Sequence, residues 1–370
     1  MTDMIDTQGL QGGASKVLPF QDVRNVFIEL TSRCNMTCAF CPLPVLKRSK
    51  QDMPHEWVLK ILNECAGQGR DVTFHVLGEP LLSPHFFEYA QLCDDLGITY
   101  WLVTNGLCLD NARLRKLFAL KRLHNVEISF HTMTEETFTL RGCSANFAAW
   151  MEKVRNAVFS PERLASNIQI NIDVMYDSHL QSGGWSAFTQ KRWQEFATTM
   201  SGWAAQLEVA HPECRHLWPR YYEGRKKIFH RGVYYHYRRF TDIPETLFAS
   251  LPPFISWIRW EIFPNTFVSL KKFFFFTKNP AYLRHSLGRE MTVIPASSNV
   301  TCTWPCDLAI LSNGKITFCC LDYEGELACG NIADMTLAEA ALSSRRRLVM
   351  SRPGAFSLCR LCKGELQEKN

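Results

Sequence analysis

The 370-residue chain is 46% apolar, 12% aromatic and 21% charged, with 41 Lys plus Arg against 36 Asp plus Glu. That balance excludes a disordered or collagen-like polymer, and the length exceeds the ~100–200 residues of an ordinary domain, so a large domain with additions, or two domains, is expected. Fifteen cysteines, an odd number, cannot all pair within the chain, which favours metal or redox chemistry over a disulfide framework.

The first residues, MTDMIDTQGLQGG, have no basic start followed by an apolar run, so the expectation is a cytoplasmic protein with free thiolates rather than a secreted one. No stretch of ~18 apolar residues lacks charge and proline, so no spanning helix is expected. From residue 24 to 210, short β-rich runs alternate with helical patterns. Strands are predicted at 25–31, 71–77, 98–104, 125–130, 168–176 and, weakly, 207–210. Helices are predicted from Pro54 to Ala66, from Pro84 to Leu96 with Ser83 as N-cap, from Asn111 to Leu120 after Asp110, and from Asn146 to Val158. Such alternation implies a parallel sheet with right-handed crossovers, either a partial β/α barrel or an open doubly wound sheet. In both, the chemistry belongs in the loops after the strands' C-terminal ends.

The loop after the first strand holds Cys34, Cys38 and Cys41 in a C-x3-C-x2-C pattern. Three thiolates so close can wrap a [4Fe–4S] cube and leave one iron open to a substrate or cofactor; a zinc knuckle is the rival, and it lacks a fourth Cys or His before His55. Together with other motifs, this region resembles the radical S-adenosylmethionine (radical SAM) enzymes over residues 24 to 210. Phe40 stands at the aromatic position beside the adenine. Gly78-Glu79-Pro80 matches the GGEP element that binds the methionine ammonium, with Leu77 in place of the first Gly. Thr104-Asn105-Gly106 looks like the TNG turn, and Ser129 and Arg141 are placed like the residues that hold the ribose and the methionine carboxylate. The resemblance implies a partial (β/α)6 barrel and reductive cleavage of S-adenosylmethionine on the open iron to a 5′-deoxyadenosyl radical, with a flavodoxin- or ferredoxin-type protein as electron donor.

Near the C-terminus, Asn313-Gly314 between two apolar alternating runs is a strong hairpin signal, followed by a helix at about 336–349 and a C-x2-C pair. This part resembles the twitch form of the SPASM auxiliary domain, which implies Cys302, Cys319, Cys359 and Cys362 as ligands of a second [4Fe–4S] cluster, with Gly330-Asn331-Ile332 as the family's GNI. Cys306, Cys320 and Cys329 are left over, and Cys320 is the rival of Cys319. A zinc ribbon is the alternative for the module.

Residues 211 to 290 carry 14 Lys plus Arg against 6 Asp plus Glu and 19 of the 45 aromatics. Three readings stand: an aromatic cap over the barrel mouth, a peripheral contact with an anionic membrane, or a nucleic-acid surface. The division is therefore an N-terminal tail (1–22), a barrel (23–210), a basic aromatic insertion (211–299) and an auxiliary-cluster domain (300–370). Cys143 and Cys214 are candidate hydrogen-atom donors, and His75 and His131 candidate bases. The expected reaction is oxidation or epimerisation at a hydroxyl-bearing carbon of a sugar, aminocyclitol or lipid-linked glycan. The alternatives are maturation of a ribosomally made peptide, for which the ~22 residues before the first strand are short of a recognition domain, and nucleic-acid modification. From a different class, a zinc scaffold or an electron carrier without catalysis also stands.

Overall fold

The computed structural model describes residues 23–38, 41–130, 135–176, 266–272, 291–300, 302, 307–319, 321–363 and 365–368. The N-terminal tail, Phe40, His131, Cys214, Cys306, Cys320, the weak strand at 207–210 and most of the basic aromatic segment lie outside these residues.

Six parallel strands run in chain order across the sheet: β1 (Asn25–Ile28), β2 (Asp71–Phe74), β3 (Tyr100–Thr104), β4 (Leu123–Ser129), β5 (Gln169–Tyr176) and β6 (Thr266–Lys272). Between them come α1 (His55–Cys65), α2 (Phe86–Asp95), α3 (Asn111–Phe118), and then α4 (Glu135–Phe138), α5 (Phe147–Phe159) and α6 (Pro161–Leu164). Consecutive parallel neighbours, with helical crossovers from β1 to β5, make a partial (β/α)6 barrel that does not close among the described residues. β6 falls inside the segment whose composition marks an insertion, so part of that segment belongs to the sheet.

Each strand separates its residues by side. Val26, Ile28, Val72, Phe74, Leu102, Val126, Ile128 and Ile170 are buried in the core shared with the helices. Asn25, Thr73, Asn125, Glu127 and Asn171 take the opposite parity. The Thr73 hydroxyl donates to Asn25 Oδ1 (3.0 Å) and Asn171 Nδ2 to Glu127 Oε2 (3.3 Å), so the face turned from the helices carries hydrogen-bonded polar pairs beside Phe27, Trp101 and Val103. The helices bury one stripe each, as Val58, Ile61, Leu62 and Cys65 do in α1. Asp110 and Asn146 cap α3 and α5 by accepting from Arg113 N (2.8 Å) and Ala149 N (3.1 Å). Ser83 does not cap α2. A 3-10 turn at Pro80–Leu82 intervenes, because the Glu79 side chain accepts from Leu81 N, and α2 starts only after His85.

The C-terminal module joins the same sheet on the other side of β1. β8 (Asp307–Ile310) pairs with β1 in parallel, and β8, β9 (Lys315–Thr317) and β10 (Gly330–Asn331) continue antiparallel, giving nine strands in the order β10-β9-β8-β1-β2-β3-β4-β5-β6. The turn at Asn313-Gly314 needs its glycine: Gly314 has φ 84°, and a Cβ there would meet the Trp57 ring of α1 at 2.7 Å. In place of one C-terminal helix stand α7 (Leu337–Ala341), started by a Thr336/Glu339 capping box, and α8 (Ser344–Ser351). They are followed by α9 (Ser357–Lys363), and β11 (Glu365–Glu368) pairs with β7 (Met291–Ile294).

A buried ion pair fastens the join. The Arg48 guanidinium donates to Glu29 Oε2 (2.5 Å), Tyr323 O (2.6 Å) and Ser312 Oγ (3.0 Å), and the Ser312 hydroxyl donates to Glu29 Oε1 (2.7 Å). Glu29 and Arg48 side chains are 0% and 6% exposed. Removing one partner would strand the other charge, so Arg48→Met should destabilise the chain by about 3–5 kcal/mol in denaturant titration. The double variant Arg48→Met/Glu29→Gln should recover part of that loss.

Candidate active site

The chain leaving β1 turns at Thr31 and Ser32 and delivers Cys34, Cys38 and Cys41 above the C-terminal ends of the strands. Three neighbouring loops hold it there. From the loop after β2, the Glu79 amide donates to Arg33 O (2.9 Å). Gly78 (φ 73°) lies so close that any Cβ would collide with the carbonyl oxygens of Thr31 and Arg33. From the loop after β3, Asn105 Nδ2 donates to Asn35 Oδ1 (2.7 Å) and reaches Cys34 Sγ (3.5 Å). From the loop after β4, the Arg141 and Gly142 carbonyls both accept from Thr37 N (3.1 and 3.3 Å), and a Cβ at Gly142 would strike Thr37.

The residues matched to the family's cofactor motifs divide their work. Glu79 is fully buried and accepts from Asn105 N (2.7 Å), the Thr104 hydroxyl (2.8 Å) and Leu81 N (3.2 Å), so it joins the loops after β2 and β3. Burial raises its pKa, against the pull of those donors. Pro80 opens the 3-10 turn. Arg141 is buried over the Trp150 ring, with its guanidinium on the Ser129 and Phe130 carbonyls (2.7 and 3.3 Å) and Met36 Sδ (3.2 Å). Sequence reasoning missed Asn35, whose Nδ2 donates to Cys108 Sγ (3.4 Å). No local pattern in the sequence signals that contact, which joins residues 73 positions apart.

The donor set fits a cluster. Burial pushes the Cys34 thiol up to about 11 and Cys41 to about 12 and lifts Cys38 as well, and Cys34 and Cys41 both feel the charge of Cys38. Thiols in such surroundings become ligating thiolates when a metal centre supplies positive charge. Three cysteines on one short loop suit a [4Fe–4S] cube held by three thiolates, with one iron left open.

In the C-terminal module, α9 carries Cys359 and Cys362 one turn apart. Burial first, then the charges of Cys302 and Cys362, raise the Cys359 thiol to about 11, so these three stand together. A Cβ at Gly354 would collide with the Ser298 carbonyl, which seats the segment leading to Cys302 against the turn before α9. Cys319 ends the hairpin half-buried.

Of the candidate catalytic groups, Cys143 lies close enough to Cys38 for its charge to act there, on the flank of the cluster loop. His75 follows β2, its amide donating to Ile28 O (3.1 Å) and its ring 6.3 Å from Phe27. Cys65 and Cys93 are buried with α1 and α2 and behave as small hydrophobes.

Replacing Cys34, Cys38 and Cys41 by Ala should remove about four of about eight irons per reconstituted chain and abolish S-adenosylmethionine cleavage. Gly78→Ala should also lower the iron content toward four, because the added methyl pushes the cluster loop from its seat. Iron analysis and 5′-deoxyadenosine release under dithionite measure both.

Comparison with known proteins agrees with this geometry. The radical SAM superfamily model matches residues 28–158, and that of SPASM, an iron–sulfur cluster-binding domain, matches residues 302–363. A tungsten-containing aldehyde ferredoxin oxidoreductase cofactor-modifying protein of Pyrococcus furiosus is 28% identical over 100 residues, covering 26% of this chain and 28% of that protein. The PqqA peptide cyclase of Methylobacterium nodulans is 33% identical over 137 residues, 34% of each chain. The matched stretches thus span about a third or less of these relatives' length. Among solved structures, Streptococcus suis SuiB bound to S-adenosylmethionine shares the fold at TM-score 0.52 and 14% identity, covering 88% of this chain and 67% of that one. Native anSMEcpe with bound AdoMet does so at TM-score 0.50 and 20% identity, covering 87% and 81%. The chain therefore carries a radical SAM domain over residues 28–158 and a SPASM iron–sulfur cluster-binding domain over residues 302–363.

Proposed function

We propose that this chain is a peptide-modifying radical SAM enzyme. The observation that carries the reading is the run of PqqA peptide cyclases among its relatives, 32% identical over 111 residues in Bradyrhizobium diazoefficiens and 33% over 137 in Methylobacterium nodulans. A sugar, aminocyclitol or lipid-linked glycan, the first expectation from the sequence, has less support.

When bound, the cluster and S-adenosylmethionine supply a carbon-centred oxidant able to take hydrogen from an unactivated C–H bond. The residues of this chain supply position. Gly78 and Glu79 hold the loop beside the cluster, Asn105 orients its first cysteine, and Arg141 fixes the backbone after β4. The sheet face with Glu127 and Asn171 offers hydrogen bonds toward a substrate. His75 is the candidate base. Cys302, Cys319, Cys359 and Cys362 would hold an auxiliary cluster with four protein ligands, suited to passing an electron onward from the substrate. A flavodoxin or ferredoxin is the proposed source of the first electron.

Deuterium transfer tests the substrate class. A perdeuterated candidate precursor peptide should place deuterium in 5′-deoxyadenosine. Transfer from a deuterated aminocyclitol or sugar, and none from peptides, would overturn the reading. Replacing Cys359 and Cys362 by Ala should leave about four irons and continuing S-adenosylmethionine cleavage but no oxidised product, separated by mass spectrometry.

A further inference from the structure

Outside the cysteine sites, one group of side chains is built like a metal centre. His55 opens α1, His85 precedes α2, and Glu88 lies in the first turn of α2. Their ligand atoms all lie within 4.8 Å of one another. His85 Nδ1 is 2.9 Å from Glu88 Oε2, and His55 Nε2 is 3.5 Å from Glu88 Oε1. Donors around a tetrahedral zinc, with bonds of about 2.0–2.1 Å, stand about 3.3 Å apart. The two separations bracket that value.

Tyr89 adds a separate indication. Its ring is 2% exposed and fixed in the core, and its hydroxyl lies 3.0 Å from His55 Nδ1. That contact occupies one imidazole nitrogen and aims the other, Nε2, at Glu88. Histidine ligands of metals are commonly oriented through the second nitrogen in this way. The surroundings are also acidic: the Asp52 and Glu56 carboxylates lie near enough to act on Tyr89 together with Glu88.

We propose that His55, His85 and Glu88 form a divalent transition-metal site, with zinc as the favoured ion, on the rim of the barrel. Two imidazoles and one carboxylate suit Zn²⁺ and not Mg²⁺ or Ca²⁺, which take oxygen donors. Three protein ligands leave at least one coordination position open to water or an incoming group. The rim is the catalytic end of the sheet, since α1 and α2 begin where the loops from β1 and β2 end. The positive N-terminal ends of both helices oppose a cation there, so the Glu88 charge is required in addition to the two nitrogens. This site stands apart from the proposed peptide substrate and from both cysteine sets.

The test uses reconstituted holoenzyme, whose cluster thiolates are already occupied, in anaerobic dialysis against Zn²⁺ with metal analysis. The expected result is one zinc per chain beyond the iron, lost or weakened at least about tenfold in both His85→Ala and Glu88→Gln with iron content unchanged. Calorimetric titration gives the affinities. Equal zinc retention in wild type and both variants would overturn the proposal, as would no zinc bound by the wild type. Retention of Mg²⁺ in preference to Zn²⁺ would do so too. Should His85→Ala lose iron, Glu88→Gln decides alone, because it changes one surface oxygen and leaves the shape intact.

Discussion

The Glu79 carboxylate has no solvent to stabilise it, and three donors take the solvent's place: the amides of Leu81 and Asn105 and the Thr104 hydroxyl. Its own amide binds the Arg33 carbonyl. One residue therefore ties together the loops after β1, β2 and β3. A buried acceptor left without donors is costly, so these loops keep one arrangement, and the cysteine loop inherits it. Gly78 and Gly142 take part by lacking a side chain, since each lies where backbone must meet backbone. Gly78, Gly142 and Glu79 are thus packing requirements of the cysteine loop.

The second constraint is the union of the two modules. β1 carries the cysteine loop at its end and lies between β2 and β8. The Arg48–Glu29–Ser312 network closes over this junction, with Gln51 Nε2 adding a bond to the Ser312 carbonyl (3.1 Å). Arg48 lies only seven residues beyond Cys41, so the segment that leaves the cysteine loop is anchored on the hairpin that leads to Cys319. Val76, at φ 129°, packs against Ala309 and Leu311 of the same hairpin. A non-glycine residue there costs about 1–3 kcal/mol, offset by burial against the neighbouring module. The two iron–sulfur sites are held by one continuous body.

Local signals were readable in the sequence. The period-2 runs marked β1 to β5, Asp110 and Asn146 marked helix starts, and Asn313-Gly314 marked the β8–β9 turn, because each depends on neighbours a few residues away. The cysteine spacing was readable for the same reason. Ser83 misled, because a cap residue cannot announce that Glu79 four positions earlier has already claimed the turn. The pairing of β8 with β1 was hidden by its separation along the chain, since parallel register leaves no periodic trace. The pairing of Thr266–Lys272 with β5 was masked by the basic, aromatic composition around it. Arg48 stands between Lys47 and Lys50 in the sequence, with nothing local to mark it, and only the fold reveals the buried acid it answers.

The position of β1 between β2 and β8 also bears on how the chain can be divided. Cutting away the C-terminal module would leave both β1 and its Glu29 uncovered. The backbone amides and carbonyls of Asn25–Ile28 that now meet β8 would become a bare edge, rich in β-branched and aromatic residues, of the kind that recruits other chains into aggregates. The SPASM module therefore also acts as the cover strand of the catalytic sheet, so poor solubility of a shortened chain would reflect that lost cover before any loss of iron.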